Sequence, residues 1–115
     1  MNRPRPGEIW QVDFGPPIPG RAALSRPAVV IAPIDVREWP GPNVIVVPVT
    51  SRDRGRPSDV SVRQVESTGL TVRSFAQCES VTSLPVTMCA RQLGVIDPDD
   101  WQRIRWIVGS FLGYL

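Results

Sequence analysis

Two prolines bracket a nearly pure apolar run in Ser25-Arg26-Pro27-Ala28-Val29-Val30-Ile31-Ala32-Pro33, and this stretch constrains the chain more than any other. Short, rich in β-branched residues and bounded by turn formers, it reads as a buried strand over residues 27–34 with a cation at its mouth. Proline offers no amide proton to a ladder, so the strand should pair only through its middle or carry a bulge. An arginine opening a strand core has a fixed task. On residue physics alone that task is an ion pair with an acid such as Asp13 or Glu79, or an anion-binding role.

Two further strands frame it. Residues 8–14 alternate, with Trp10, Val12 and Phe14 on the face expected to be buried and Ile9, Gln11 and Asp13 on the other. Residues 44–51 are nearly continuous in Val and Ile, predict a strand covered on both faces, and end in the polar pair Thr50-Ser51. Proline- and glycine-dense loops separate the three, over residues 15–25 and 35–43. The first is long for so small a domain, which is a mark of functional loops. Shorter strands are expected at 60–62, 74–81 and 88–96. Asp97-Pro98-Asp99-Asp100 then starts a helix: Asp97 caps it, Pro98 suits its first turn, and the acids favour the dipole. Trp101, Ile104, Val108, Phe111 and Leu115 give it an apolar face, and Trp106 falls on the rim.

At 115 residues and 42% hydrophobic composition the chain suits one domain, residues 1–115. It contains no histidine, which excludes a His general acid/base pair, a Ser-His-Asp triad and a His-containing metal site. Cys78 and Cys89 lack metal-ligand spacing and read as reduced thiols of a cytoplasmic protein, Cys78 as a small core residue. Neither a signal core nor a membrane-spanning apolar run is present in the sequence. The net charge is only +2, but all thirteen basic residues are arginine, the better planar ligand for phosphate. Arg52, Arg54 and Arg56 make residues 52–59 the most basic short window, read either as a solvated loop or as a phosphate contact.

Taken in order, Gly7-Glu8-Ile9-Trp10 with Asp13-Phe14, Arg26-Pro27-Ala28-Val29-Val30, Val47-Pro48-Val49-Thr50-Ser51 and Val81-Thr82-Ser83-Leu84 resemble the MazF/PemK family of toxin endoribonucleases over almost the whole chain. The resemblance implies a mainly β fold, an SH3-like (PemK/CcdB-like) small barrel with a C-terminal α-helix. It further implies a homodimer, no cofactor or metal, a cognate antitoxin partner, and sequence-selective cleavage of single-stranded RNA. The family's Arg-Pro arginine and the threonine closing the third strand act at the scissile phosphate. They match Arg26 and Thr50, the expected catalytic pair.

Attack by the RNA's own 2′-hydroxyl would give 2′,3′-cyclic phosphate and 5′-hydroxyl ends, and DNA would resist. Expected RNA contacts are Ser51, which alternation turns to the face opposite Thr50, with Arg52, Arg54, Arg56, Gln77, Glu79 and Trp39. Phe14 has a core role as its alternative. Glu79 matches an acidic position of relatives, from which it would orient Arg26 or meet a base. Many relatives carry Gly-Ser-Glu-Gln ahead of the Arg-Pro motif. Here the stretch is Gly20-Arg21-Ala22-Ala23-Leu24-Ser25, without the glutamate, and Ser80 and Thr82 replace larger polar or basic residues. Two rival readings keep the fold and drop the chemistry: a CcdB-like inhibitor of DNA gyrase, and a silent barrel that binds RNA or a partner protein.

Overall fold

The computed structural model describes residues 3–16, 19 and 25–114. Among these residues seven strands and one α-helix follow in chain order: β1 (Glu8–Asp13), β2 (Ser25–Ala32), β3 (Asn43–Thr50), β4 (Asp59–Val62), β5 (Ser74–Gln77), β6 (Thr82–Pro85), β7 (Cys89–Val95) and α1 (Pro98–Phe111). They form one antiparallel sheet in the order β4-β5-β3-β2-β1-β7, with β6 pairing the first half of β3. The expected small barrel is thus present as an open sheet rather than a closed ring. Its two ends are joined without a ladder. The loop between β4 and β5 docks on β7, where Val95 N–H donates to the Ser67 carbonyl at 2.8 Å.

Two glycines permit that docking. A Cβ on Gly94 would lie 2.3 Å from the Ser67 carbonyl oxygen, and one on Gly69, whose φ is +70°, would lie 2.0 Å from that of Leu93. Thr68 organises the loop from within. Fully buried, its hydroxyl meets the Arg63 and Val65 carbonyls at 2.8 Å.

Alternation along β1, β2 and β3 sorts the core into two halves. Ile9, Val29, Val47 and Val49 face α1 together with Val60, Leu70, Ala76, Cys78, Ile104 and Val108. Trp10, Val12, Ala28, Val30, Val44 and Val46 face the other way, toward Leu84 and Cys89. β3 is therefore covered on both faces, as its composition predicts. The expectation for β1 needs correcting: Ile9, placed on the open face, is fully buried, because β1 lies inside the sheet with the helix-side core over its first half. The predicted bulge in β2 is real, a register shift between Val30 and Ala32 beside Pro33.

The strand expected over 74–81 stops at Gln77 and turns through a 3-10 segment at Cys78–Ser80. β6, quoted above only as a motif, is a strand of its own. Asp97 caps α1 as expected, accepting from Asp99 N–H at 3.1 Å with Pro98 in the first turn. Ile104 and Val108 are buried and Trp101 partly so, but Phe111 is 58% exposed and Leu115 lies outside the described residues. The helix rests on β4 and the 3-10 turn, so its last turn overshoots the sheet. Asp100 is buried instead, accepting from Arg63 N–H and paired with Arg103.

Candidate active site

Strand register brings Arg26 and Thr50 together. The β2–β3 ladder pairs Ala28 with Pro48, and two residues further along each strand this register sets Arg26 across from Thr50 on the same face. Both are half-buried. The Arg26 guanidinium donates through Nη2 to Gln77 Oε1 at 3.2 Å and lies over the Phe14 ring, 5.9 Å from its centroid. A buried amide and an aromatic face thus aim the guanidinium. Thr50 Oγ1 accepts from Arg52 N–H at 3.1 Å, so its own proton is available to donate elsewhere.

The pair forms the rim between two clefts. Phe14, Pro48, Arg52, Gln77 and Thr82 help line the first, about 560 Å³, which we call cleft A. Gln11, Ser25, Pro27, Ser51 and Arg91 help line the second, cleft B, about 460 Å³. Arg26 and Thr50 line both. The strand residues particular to each cleft have opposite parity, so the clefts open on opposite faces of one end of the sheet. Ser51 lines cleft B alone of the two, on the face alternation assigned it. Among the described residues no carboxylate lines either cleft, and arginine side chains line both.

The other expected residues sort differently. Arg54 makes a two-pronged ion pair with Asp59, Nε to Oδ2 at 3.0 Å and Nη2 to Oδ1 at 2.7 Å, which raises its already high pKa. Glu79 pairs with Arg56 and stands 3.5 Å from Arg54 Nη2. Arg73 reaches Asp53 at 3.7 Å. Of the basic window, Arg52 alone has no acid beside its guanidinium among the described residues. Trp39 is exposed in the 33–42 loop, beside Ile34, Asn43 and Ile45 at the far end of β3, and is not brought to the clefts. The residues 20–24, where relatives carry a glutamate, lie outside the described residues.

Arg91 was not anticipated. β7 pairs it with Gln11, which pairs in turn with Pro27, so the register puts it on the cleft B face. The signal was its place in a predicted strand, but only the sheet order puts β7 beside β1. Burial, and next the Asp59 charge, push the Cys78 thiol up to about 12, consistent with the core role read from sequence. Among the described residues no three His, Cys, Asp or Glu side chains gather to hold a metal ion. A further cavity of about 830 Å³ is an apolar groove along α1 at Trp106 and Tyr114, and Arg26 does not line it.

An open antiparallel sheet that closes through a loop, with one C-terminal helix and an arginine–threonine pair between two arginine-lined clefts, defines a small-barrel protein. The chain belongs to the PemK-like, MazF-like toxins of type II toxin–antitoxin systems, whose family model matches residues 5–112. Among solved structures it is similar to MazF of Deinococcus radiodurans, with a TM-score of 0.81 and 25% identity over 98% of this chain and 99% of that one. It also resembles a MazE–MazF complex of the same organism, at TM-score 0.78 and 25% identity over the full length of both chains. An endoribonuclease from a mycobacterial species shares the fold, at TM-score 0.74 and 18% identity over 98% and 94% of the chains. No curated protein sequence matches it. Among the described residues no helix is long and apolar enough to cross a membrane.

Proposed function

We propose that this protein is the toxin of its pair and cleaves single-stranded RNA at specific sequences, using the RNA's 2′-hydroxyl as nucleophile. The observation that carries the reading is the Arg26–Thr50 pair on the rim between two arginine-lined clefts that share it. Three things make such a cleavage fast: the 2′-oxygen in line with phosphorus, neutralised charge on the phosphoryl oxygens, and proton transfer at the entering and leaving oxygens. Arg26, held by Gln77 and Phe14, meets the phosphoryl oxygens with charge-assisted hydrogen bonds and protonates the leaving 5′-oxygen, while solvent water takes the 2′-hydroxyl proton and water returns one to Arg26. Thr50 donates its hydroxyl proton to a phosphoryl oxygen and fixes the in-line geometry. A scissile phosphate on the rim sends the strand into cleft A on one side and cleft B on the other. Products are a 2′,3′-cyclic phosphate and a 5′-hydroxyl end.

Ser51, Arg52 and the Gln77 edge contact the RNA, and the ion pairs of Arg54 and Arg56 shape the loop that carries Arg52. Membership of the MazF-like toxin family supports the activity, and the similar MazE–MazF complex supports a cognate antitoxin. That antitoxin is read as an acidic segment, disordered until it covers the Arg26 groove in the cytoplasm. A homodimer agrees with the exposed Trp106, Phe111 and Leu112 on α1, whereas β3 is already covered by its own chain. The test is incubation of purified, antitoxin-free protein with a long RNA in excess EDTA, beside Arg26→Ala and Thr50→Ala. Discrete cuts with 5′-hydroxyl ends, reduced about 100- to 1,000-fold in each folded variant, are expected. Intact RNA with wild type rejects the reading in favour of a gyrase binder or silent barrel.

A further inference from the structure

We infer that Arg91 is a second phosphate anchor, binding an RNA backbone phosphate in cleft B on the opposite side of the cut from a phosphate bound by Arg52 in cleft A. The inference rests on the ribonuclease reading and adds to it a path for the strand.

Charge accounting around the rim carries it. Arg54, Arg56 and Arg73 are each occupied by an acid: Asp59, Glu79 and Asp53. Arg52 and Arg91 have no acid or acceptor holding their guanidinium groups among the described residues, and neither has an interaction beyond those given. One lines cleft A and the other lines cleft B, with Arg26 common to both. Arg91, Gln11 and Pro27 form one row across β7, β1 and β2, so Arg91 projects from a backbone two strand spacings from Arg26's, about 10 Å. That separation is on the nucleotide scale. The three arginines therefore trace a path over the end of the sheet from one face to the other. Arg91 is an exposed arginine whose cleft shows no carboxylate among the described residues, and a phosphodiester seated there satisfies its guanidinium.

The probe is a short RNA centred on a mapped cut, made uncleavable by a 2′-deoxy sugar at the scissile position, with binding measured across a salt series. Arg91→Ala should weaken binding about tenfold and lower the slope of log K against log salt by about 0.7, the value for one phosphate contact on a single strand. Arg91→Gln keeps much of the side chain without its charge, and should show the same loss in a fold of unchanged melting temperature. Arg63→Ala, which removes an arginine beside the helix cap, controls for net charge. An RNA shortened on one side of the cut should abolish the Arg91→Ala penalty and keep that of Arg52→Ala, and one shortened on the other side the reverse. Wild-type affinity and slope in Arg91→Gln, or both penalties vanishing on the same truncation, overturns the assignment while cleavage itself persists. Absence of wild-type cleavage instead removes the ribonuclease reading and this inference with it.

Discussion

Arg54→Ala should unfold this protein more readily and leave its hold on RNA nearly intact. Asp59 is the reason: its side chain is 3% exposed and its two oxygens are taken by Arg54, itself 19% exposed. Removing one member of a buried ion pair strands the other charge, at a cost of about 3–5 kcal/mol. Water entering the space left by the shortened side chain favours the lower end, about 3 kcal/mol. With an unfolding entropy near 2.1 cal/mol/K per residue, that lowers the melting temperature of a chain this size by roughly 12 °C. Circular dichroism melts and urea titrations measure it. Arg54→Ala with Asp59→Ala should recover a large part of the loss, since no charge is then stranded. A phosphate-binding arginine behaves in the opposite way, with an unchanged melt and a salt slope lower by about 0.7. A melt within about 2 °C of wild type, together with tenfold weaker RNA binding, refutes the reasoning.

Gln77→Leu removes the amide that aims Arg26 and its RNA contact, and should lower kcat about tenfold with a smaller rise in KM. Gln77→Glu still holds Arg26 but sets a carboxylate beside the phosphate, so KM should rise; equal kcat and KM in all three proteins would leave Gln77 without a positioning role. Gly94→Ala puts a methyl 2.3 Å from a backbone oxygen of the docked loop and should cost at least about 3 kcal/mol in urea unfolding; an unshifted midpoint contradicts the loop-closed sheet. The Cys78 thiol, ordinarily at 9.0 and pushed up to about 12, stays protonated in the fold while the unfolded chain ionises, so its stabilising share is complete below pH 9.0 and lost as pH rises toward 12. Urea midpoints should therefore fall less steeply across that window in Cys78→Ala, and a disulfide-forming thiol reagent at pH 8 should modify Cys78 only after denaturation.

Local features carried much of the fold because their physics is local. Pro27, Pro33 and the β-branched run between them fix a strand and its bulge. Asp97-Pro98 fixes a helix start within a single turn of chain. Alternation placed Ser51 and Thr50 on opposite faces without knowledge of what lies beyond either. The same rule misplaced Ile9, since alternation names two faces and says nothing of which neighbours cover them. Phe111 failed in the same way: a helix knows its own apolar stripe but not the length of the surface it lies on.

The candidate site divides along the same line. The order of motifs alone singled out Arg26 and Thr50, and the absence of histidine limited the chemistry open to them. Charge could not be assigned from the chain in the same way, because Arg52, Arg54 and Arg56 are alike in sequence and differ only in what stands beside them. Asp59 is near in sequence to its partner, but Glu79 and Gln77 reach the site through β5, and Arg91 through β7 pairing with β1. Sequence determined which residue types and strands exist, since these follow from backbone sterics and side-chain chemistry over a few residues. Only the tertiary structure decided which arginines remain uncompensated, because Coulomb interactions depend on distance in space and burial rather than on position along the chain.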